Sequence, residues 1–127
     1  MKVIVDTHAL IWWFNEPERL SKTAIPVLTD PGNTIYISAA VAWEIAIKVN
    51  LGKLNALPLA AELTRYVAGE GFTEQPITVD QAVRAGLLPR HHRDPFDRLL
   101  VAQSQDLSAP ILSADTALDR YDIERLW

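Results

Sequence analysis

Four acidic residues spread along almost the whole chain are of types that could support catalysis. They are Asp6, Glu44, Asp97 and Asp115. Each one follows a predicted β-strand or lies in the first turns of a predicted helix. Because parallel α/β sheets bind ligands at the edge where strands end and helices begin, we expect the four carboxylates to meet in one crevice.

The same criterion separates these residues from most other acids. Asp30 and Asp106 end predicted helices and therefore belong to the opposite edge of the sheet. Asp80 opens the helix after the third predicted strand and satisfies the criterion. It stands away from the crevice only if that strand lies at the border of the sheet, which the sequence leaves open.

Carboxylates gathered in one crevice repel each other unless a cation joins them. Two unit charges about 4 Å apart repel by about 4 kcal/mol at an effective dielectric constant of about 20. An all-oxygen site suits Mg²⁺ or Mn²⁺. Such a site can bind a phosphodiester, activate a water molecule and stabilise the leaving oxygen. The four acids therefore predict metal-dependent phosphoryl chemistry.

Each acid taken alone has an ordinary explanation. Asp6 could be a helix N-cap, and Asp97 could complement a helix dipole while Asp94 caps the helix. Glu44 could form a surface pair with Lys48, although the surrounding helix is apolar on most faces. The last of the four could be a turn residue. The prediction therefore depends on the four acids together.

A basic segment precedes the helix that Asp-Pro opens. Arg90, His91, His92 and Arg93 could contact RNA phosphates, with Arg98 as a further candidate, or they could form a solvated loop. Zinc binding by the two histidines is a weaker alternative, because no third histidine lies near them in sequence.

The composition is typical of one small domain, which we assign to residues 1–127. The absence of cysteine excludes disulfides and thiolate metal sites. No apolar run reaches the ~18 residues of a membrane span, so we expect a soluble, cytoplasmic protein. The net charge of −4 is inconclusive for RNA binding: if four of the 16 acids bind cations, the remaining 12 equal the 12 Lys and Arg residues.

Alternating strand and helix patterns predict a three-layer α/β/α sandwich around a parallel sheet of four to five strands. Predicted strands cover residues 3–5, 34–38, 75–78, 110–113 and 123–126. Predicted helices cover residues 7–14, 21–29, 39–51, 59–68, 78–88 and 95–107. Thr78 and Gln81 form a predicted capping box. The aromatic residues Trp12, Trp13 and Phe14 are adjacent, so they are either an exposed patch for a partner or core residues on two faces.

Four segments together resemble the PIN-domain family, and within it the VapC-type toxins of bacterial toxin–antitoxin pairs. They are VIVDTHAL at 3–10, SAAVAWEIAIK at 38–48, HRDPFDRLLVAQ at 92–103 and ILSAD at 111–115. The resemblance implies a PIN-like fold and a Mg²⁺- or Mn²⁺-dependent endoribonuclease with the acidic quartet Asp6, Glu44, Asp97 and Asp115. Ser113 matches the small hydroxyl residue of the family near the site, and Asp94 matches an extra acid of the subgroup, to which we assign no role beyond capping. Thr7 is a further candidate for a supporting role.

The resemblance further implies a homodimer held near its amino-terminal helices and a cognate antitoxin whose carboxy-terminal segment blocks the site. We expect cleavage of single-stranded or loop RNA by in-line attack of a metal-activated water. In this scheme Asp6 is the principal ligand, Asp97 and Asp115 share the metal, and Glu44 orients the water or the hydration shell of the metal. The RNA target stays open.

Three other functions are compatible with an acidic α/β domain. A haloacid-dehalogenase-type phosphatase needs a second Asp two residues after Asp6, where this chain has His8. A receiver domain needs a late lysine, and the last lysine here is Lys53. The third is a catalytically silent module that binds metal or antitoxin, and no feature of the sequence excludes it.

Overall fold

The central strand of the sheet is built from the most apolar part of the amino terminus. In the computed structural model, which describes residues 1–127, Val3, Ile4 and Val5 are fully buried. They belong to β1 (Lys2–Val5), which pairs in parallel with β2 (Thr34–Ser38) on one side and β4 (Ile111–Leu112) on the other. β3 (Thr73–Gln75) and β5 (Arg125–Leu126) complete the sheet in the order β3-β2-β1-β4-β5.

Helices flank this sheet, as expected for an α/β sandwich with both faces covered. Their bounds are α1 Thr7–Asn15, α2 Ala24–Thr29, α3 Ala39–Asn50, α4 Leu57–Ala61, α5 Leu63–Gly69, α6 Val79–Leu87 and α7 Pro95–Leu107. Two short 3₁₀ turns add Pro17–Arg19 and Thr116–Arg120. None of the helices has both the length and the apolar composition that crossing a membrane requires.

The strand order places a ligand-binding crevice beside β1. The chain moves outward from β1 to β2 and β3, then returns to the other side of β1 to form β4 and β5. The connections after β1 and β4 therefore diverge and leave a gap at the carboxyl ends of these two strands. Open parallel sheets bind ligands at such a switch point.

The predicted bounds of the third strand and of the second helix are wrong. The third strand covers Thr73–Gln75 and not 75–78, because Pro76 has no N–H for the ladder and Thr78 already caps α6. The second helix starts at Ala24, after a turn closed by the Ser21 hydroxyl. Pro26 therefore lies in the first turn of this helix, where a missing N–H costs nothing and no kink is needed.

The segment predicted as one helix at 59–68 forms two short helices. α4 begins at Leu57 with Pro58 in its first turn, and the backbone leaves the helical region at Glu62 (φ −129°, ψ 31°) before α5 starts.

The cluster of aromatic residues in α1 packs within the chain. The ring centroid of Trp12 lies 5.8 Å from that of Trp127, and Trp13 lies 6.3 Å from Phe72. Phe14 contacts Tyr66 edge to face at 5.4 Å. The three side chains are half-buried and pack against the core of the chain, which favours core packing on two faces.

Candidate active site

Asp6 stands at the carboxyl end of β1 and is also the N-cap of α1. Its Oδ1 accepts a hydrogen bond of 2.8 Å from the backbone N–H of Ala9, and its Oδ2 accepts one from the Ser113 hydroxyl. The residue is only 4% exposed. Burial raises the pKa of this carboxyl above its usual value, against the lowering effect of the hydrogen bonds from Ser113 and Ala9. The capping role is therefore real, and it coexists with a place at the switch point.

Asp97 lies in the first turn of α7, which Asp94 caps through a 2.9 Å hydrogen bond from the N–H of Phe96. Burial raises the pKa of the Asp97 carboxyl to about 7, and the charge of Asp94 adds to the effect. His92 lowers this pKa, while Asp6 and Glu44 raise it further. The charges of Asp94, Asp6 and Glu44 thus all act on Asp97, in the same direction as burial.

Glu44 enters the crevice from α3 and is 2% exposed. Its Oε1 accepts a 2.5 Å hydrogen bond from the Thr7 hydroxyl, and its Oε2 accepts one of 2.5 Å from Lys48 Nζ. The pairing with Lys48 that the sequence suggested is present, but it is not an ordinary surface pair. Lys48 partly balances a buried carboxylate, and Thr7 fixes the direction of that carboxylate.

Asp115 and His92 close the crevice on the side of β4. His92 Nε2 lies 2.8 Å from Oδ2 of Asp115 and 3.1 Å from Oδ2 of Asp97. Burial by itself raises the pKa of Asp115, but hydrogen bonds from His92 and the Ala117 N–H, and the nearby charge of Arg125, hold it below its usual value.

The donor set fits a divalent cation. Ligand atoms of His92, Asp97 and Asp115 all lie within 4.8 Å of one another. Burial raises the pKa values of Asp6 and of the partly buried Asp97 by penalising their charged forms, and a cation would favour those charged forms. Oxygen-rich sites of this kind suit Mg²⁺ or Mn²⁺.

Asp6 and Glu44 do not belong to the tight group of His92, Asp97 and Asp115. Each has both carboxylate oxygens bound by protein donors. Their charges nevertheless act on the crevice, because both raise the pKa of Asp97.

The other acids lie where the edge criterion places them. β3 is the border strand of the sheet, so Asp80 is kept away from the switch point. Its side chain is 74% exposed and pairs with Arg84 at 3.7 Å. Asp30 ends α2 and Asp106 lies near the end of α7.

The basic segment before α7 divides into two groups. The side chains of Arg90 and Arg93 are exposed, and His91 packs against the ring of Tyr121 at 5.2 Å. The guanidinium of Arg98 instead donates to backbone carbonyls of α6 and of the loop after it, namely those of Ala85, Gly86, Leu88 and His92. Arg98 is thus occupied by the backbone, and this geometry gives no support to its predicted RNA contact.

The sequence predicts RNA contact or zinc binding for His92 and does not reveal its central position between Asp97 and Asp115. The available signal was local: His92 lies two residues before the N-cap that delivers Asp97. The sequence also does not reveal the role of Tyr121, whose hydroxyl accepts from His92 N–H at 2.9 Å and donates to Pro89 O at 2.8 Å. No sequence pattern connects Tyr121 with this loop.

Comparisons with known proteins agree with this architecture. The family model described as "PIN domain" matches residues 3–124. Ribonuclease VapC22 of Mycobacterium tuberculosis (strain ATCC 25618 / H37Rv) is 29% identical over 119 residues, which is 91% of this chain and 88% of that protein.

Two solved structures share the fold. A chain in the crystal structure of VapBC2 from Rickettsia felis, bound to a DNA fragment from their promoter, superposes with a TM-score of 0.73 at 14% identity. The alignment covers 99% of this chain and 98% of that one. A chain of FitAcB from Neisseria gonorrhoeae gives a TM-score of 0.63 at 15% identity, with 98% and 96% covered.

Proposed function

This chain belongs to the PIN-domain family, and on that premise we propose that it is a metal-dependent endoribonuclease, the toxin of a toxin–antitoxin pair. The observation that carries the proposal is the crevice beside β1, where ligand atoms of His92, Asp97 and Asp115 lie within 4.8 Å of one another. Burial, and after it the charges of Asp94, Asp6 and Glu44, raise the pKa of Asp97 there. Such a crevice needs a cation and is open to an anionic substrate. The name of the relative VapC22 supports RNA as that substrate.

A divalent cation bound by Asp97, Asp115 and Asp6 would lower the pKa of a water molecule and neutralise charge on the phosphodiester. Ser113 and the Ala9 N–H hold the Asp6 carboxylate in place for this task. Thr7 and Lys48 hold Glu44 as a hydrogen-bond acceptor at the wall of the crevice, where it orients water. The exposed Arg90 and Arg93 are placed to contact RNA phosphates outside it.

The proposal is tested with protein purified without antitoxin, an RNA pool and either Mg²⁺, Mn²⁺ or EDTA. Asp6→Asn and Asp97→Asn are expected to lower cleavage by about a hundredfold or more, because metal-ion charge stabilisation is worth several kcal/mol. Asp80→Asn is the matched control, since Asp80 passed the same sequence criterion but lies outside the crevice. Sequencing of the RNA ends identifies the cleavage site.

Undiminished cleavage by either crevice variant contradicts the proposal, as does equal cleavage in EDTA. A wild-type chain that binds metal and antitoxin without cleaving RNA would favour the silent-module alternative. The phosphatase and receiver alternatives are set aside, because the PIN family model covers residues 3–124.

A cognate antitoxin is the partner that fits the acidic crevice. The resemblance to VapC-type toxins implies such a partner, and the solved structures that share the fold include those of VapBC2 and FitAcB. Five acids, Asp6, Glu44, Asp94, Asp97 and Asp115, give the crevice a negative potential that a basic carboxy-terminal tail of an antitoxin would complement.

The second partner we propose is another copy of the chain. Val79, Val83 and Leu87 lie four residues apart on α6 and are 83, 54 and 80% exposed. A two-fold interface uses the same patch twice. If α6 pairs antiparallel with its copy around Val83, Val79 of each subunit faces Leu87 of the other. We therefore propose α6 as the dimer contact. The amino-terminal helices stay the alternative that the resemblance implies, with aromatic residues that are half-buried within the chain.

A further inference from the structure

His92 has an unusual position for a residue outside the acidic quartet. Its ring nitrogen Nε2 lies between two carboxylates of the crevice, 2.8 Å from Asp115 Oδ2 and 3.1 Å from Asp97 Oδ2. The side chain is 16% exposed, so solvent screens these contacts only in part. The ring therefore joins Asp115, which follows β4, to Asp97, which lies in the first turn of α7.

The hydrogen bonds of the ring identify which nitrogen carries the proton. Nδ1 faces the backbone N–H of Asp94 at 3.1 Å, and this N–H can only donate. Nδ1 must therefore be the acceptor, and in the neutral ring the proton lies on Nε2. The Nε2–H bond then points at the two carboxylates and donates to them.

The backbone of His92 is also held in place. Its N–H donates to the Tyr121 hydroxyl at 2.9 Å, and its carbonyl accepts from Arg98 at 3.4 Å. Tyr121 follows the 3₁₀ turn that Asp115 caps, and Arg98 belongs to α7, which also carries Asp97. The ring is thus fixed relative to both carboxylates that it bridges.

We propose that His92 is a positioning residue that holds Asp97 and Asp115 at the spacing of metal ligands, an inference that rests on the proposed metal-dependent function. The two like charges repel each other in the absence of a cation. The Nε2–H donor offsets this repulsion, so the ligand pair is already assembled when a cation arrives. Residues that orient ligands in this way commonly change metal affinity by about 10- to 100-fold when they are lost.

His92 is not itself a ligand in this scheme. Coordination through Nε2 while Nδ1 accepts from Asp94 would require a ring without either proton. A neutral imidazole has one proton and cannot meet both demands. The geometry therefore assigns metal binding to the carboxylate oxygens and orientation to the ring.

The inference is tested by titrating Mn²⁺ into metal-free protein in a calorimeter, without RNA. His92→Leu removes the donor, and His92→Gln retains a neutral N–H donor at a similar reach. We expect His92→Leu to weaken Mn²⁺ binding by about tenfold or more. His92→Gln should stay within about threefold of wild type. His91→Leu, at the neighbouring position outside the carboxylate contacts, should bind as wild type. Thermal unfolding in EDTA checks that each variant is folded.

Two spectroscopic measurements separate positioning from ligation. Long-range ¹H–¹⁵N spectra of the metal-free protein should show the Nε2–H tautomer for the His92 ring. Electron–nuclear double resonance of the Mn²⁺-loaded protein should show no directly coordinated nitrogen. An Nδ1–H tautomer or a coordinated nitrogen overturns the inference, as does equal Mn²⁺ affinity in wild type and His92→Leu.

The outcomes distinguish this inference from the proposed function. Weak Mn²⁺ binding by His92→Leu, in a protein that never cleaves RNA, supports positioning and contradicts the nuclease. Equal binding by wild type and His92→Leu, together with RNA cleavage, contradicts positioning alone. A wild-type chain that binds no Mn²⁺ contradicts both.

Discussion

At the scale of single residues, the crevice combines groups that stabilise the fold with groups that oppose it. Asp6 caps α1 and accepts a hydrogen bond from the Ser113 hydroxyl, yet burial raises the pKa of its carboxyl. The pKa of Asp97 is raised to about 7, because the charges of three other acids add to the effect of burial. Asp115 is the exception, since donors hold its pKa low. The site therefore stores unfavourable charge that a bound cation would relieve, as is common where pKa values are perturbed for function.

This stored charge predicts how the stability of the metal-free protein depends on pH. The folded pKa of Asp97, about 7, is above the value of 3.8 expected in the unfolded chain. The folded state therefore keeps a proton that the unfolded state has lost, and the free energy of unfolding should fall as the pH rises toward and through 7. The contribution is at most about 4 kcal/mol for a shift of about three units. The raised pKa of Asp6 acts in the same direction.

The measurement is urea unfolding in EDTA between about pH 5 and pH 8. Asp97→Asn should flatten the pH dependence and should be more stable than wild type at the upper end. The lowered pKa of Asp115 acts only below its unfolded value near 3.8, outside this window. Identical slopes for wild type and Asp97→Asn would refute the assignment of this charge to Asp97.

At the scale of elements, the site depends on the connection between α6 and α7. Asp94 and Pro95 begin α7 and thereby place Asp97, while the preceding loop brings His92 to the crevice. Arg98 ties the two ends of this loop together, since it donates both to the last carbonyls of α6 and to His92 O. The planar guanidinium has the donors for several carbonyls at once, which a lysine lacks.

This role predicts the effect of Arg98→Lys. The charge is retained, but most of the carbonyls lose their donor, so we expect a loss of about 2 kcal/mol or more. The melting temperature should fall by about 5 to 10 °C. Arg90→Lys is the matched control at an exposed position and should leave the melting temperature unchanged. A stable Arg98→Lys protein with weakened RNA binding would instead restore Arg98 as an RNA contact.

At the scale of the whole molecule, the distribution of exposed apolar residues indicates which surface contacts a partner. α1 has a dense aromatic sequence, but its rings pack on Trp127, Phe72 and Tyr66. α6 contains no aromatic residue, yet its Val79 and Leu87 are more than three-quarters exposed. Exposed apolar residues on one helix face commonly mark a protein interface.

The proposed dimer contact through α6 predicts different effects of a leucine-to-glutamate substitution at two positions. Leu87→Glu should turn the dimer into a monomer at micromolar concentration, because a charge would be buried opposite Val79 of the other subunit. Leu51→Glu, at an exposed leucine just after α3, should leave the dimer intact. Sedimentation or light scattering over a concentration series measures both. A monomeric wild type would remove the dimer, and a dimeric Leu87→Glu would move the interface elsewhere.

The sequence by itself was sufficient to predict the order of strands and helices along the chain, the parallel pairing of the sheet and the edge of the sheet at which the acids lie. These features follow from local rules. Buried strands are continuous apolar runs. Thr78 and Asp94 signal helix starts because their side-chain oxygens accept from backbone N–H groups, and Pro95 does so through its fixed φ. The PIN-domain family was also recognisable from four short segments. Boundaries failed where a proline changed the local hydrogen bonding, as at Pro26 and Pro76.

Only the tertiary structure decided which side chains meet. Whether Asp80 joins the crevice depends on β3 being a border strand, and strand order is a matter of long-range pairing that no local pattern encodes. The bridge from His92 to Asp97 and Asp115, and the hold of Tyr121 on the loop, likewise join residues from separate elements. The same is true of the aromatic residues of α1, because burial depends on what packs against a helix and not on the helix alone.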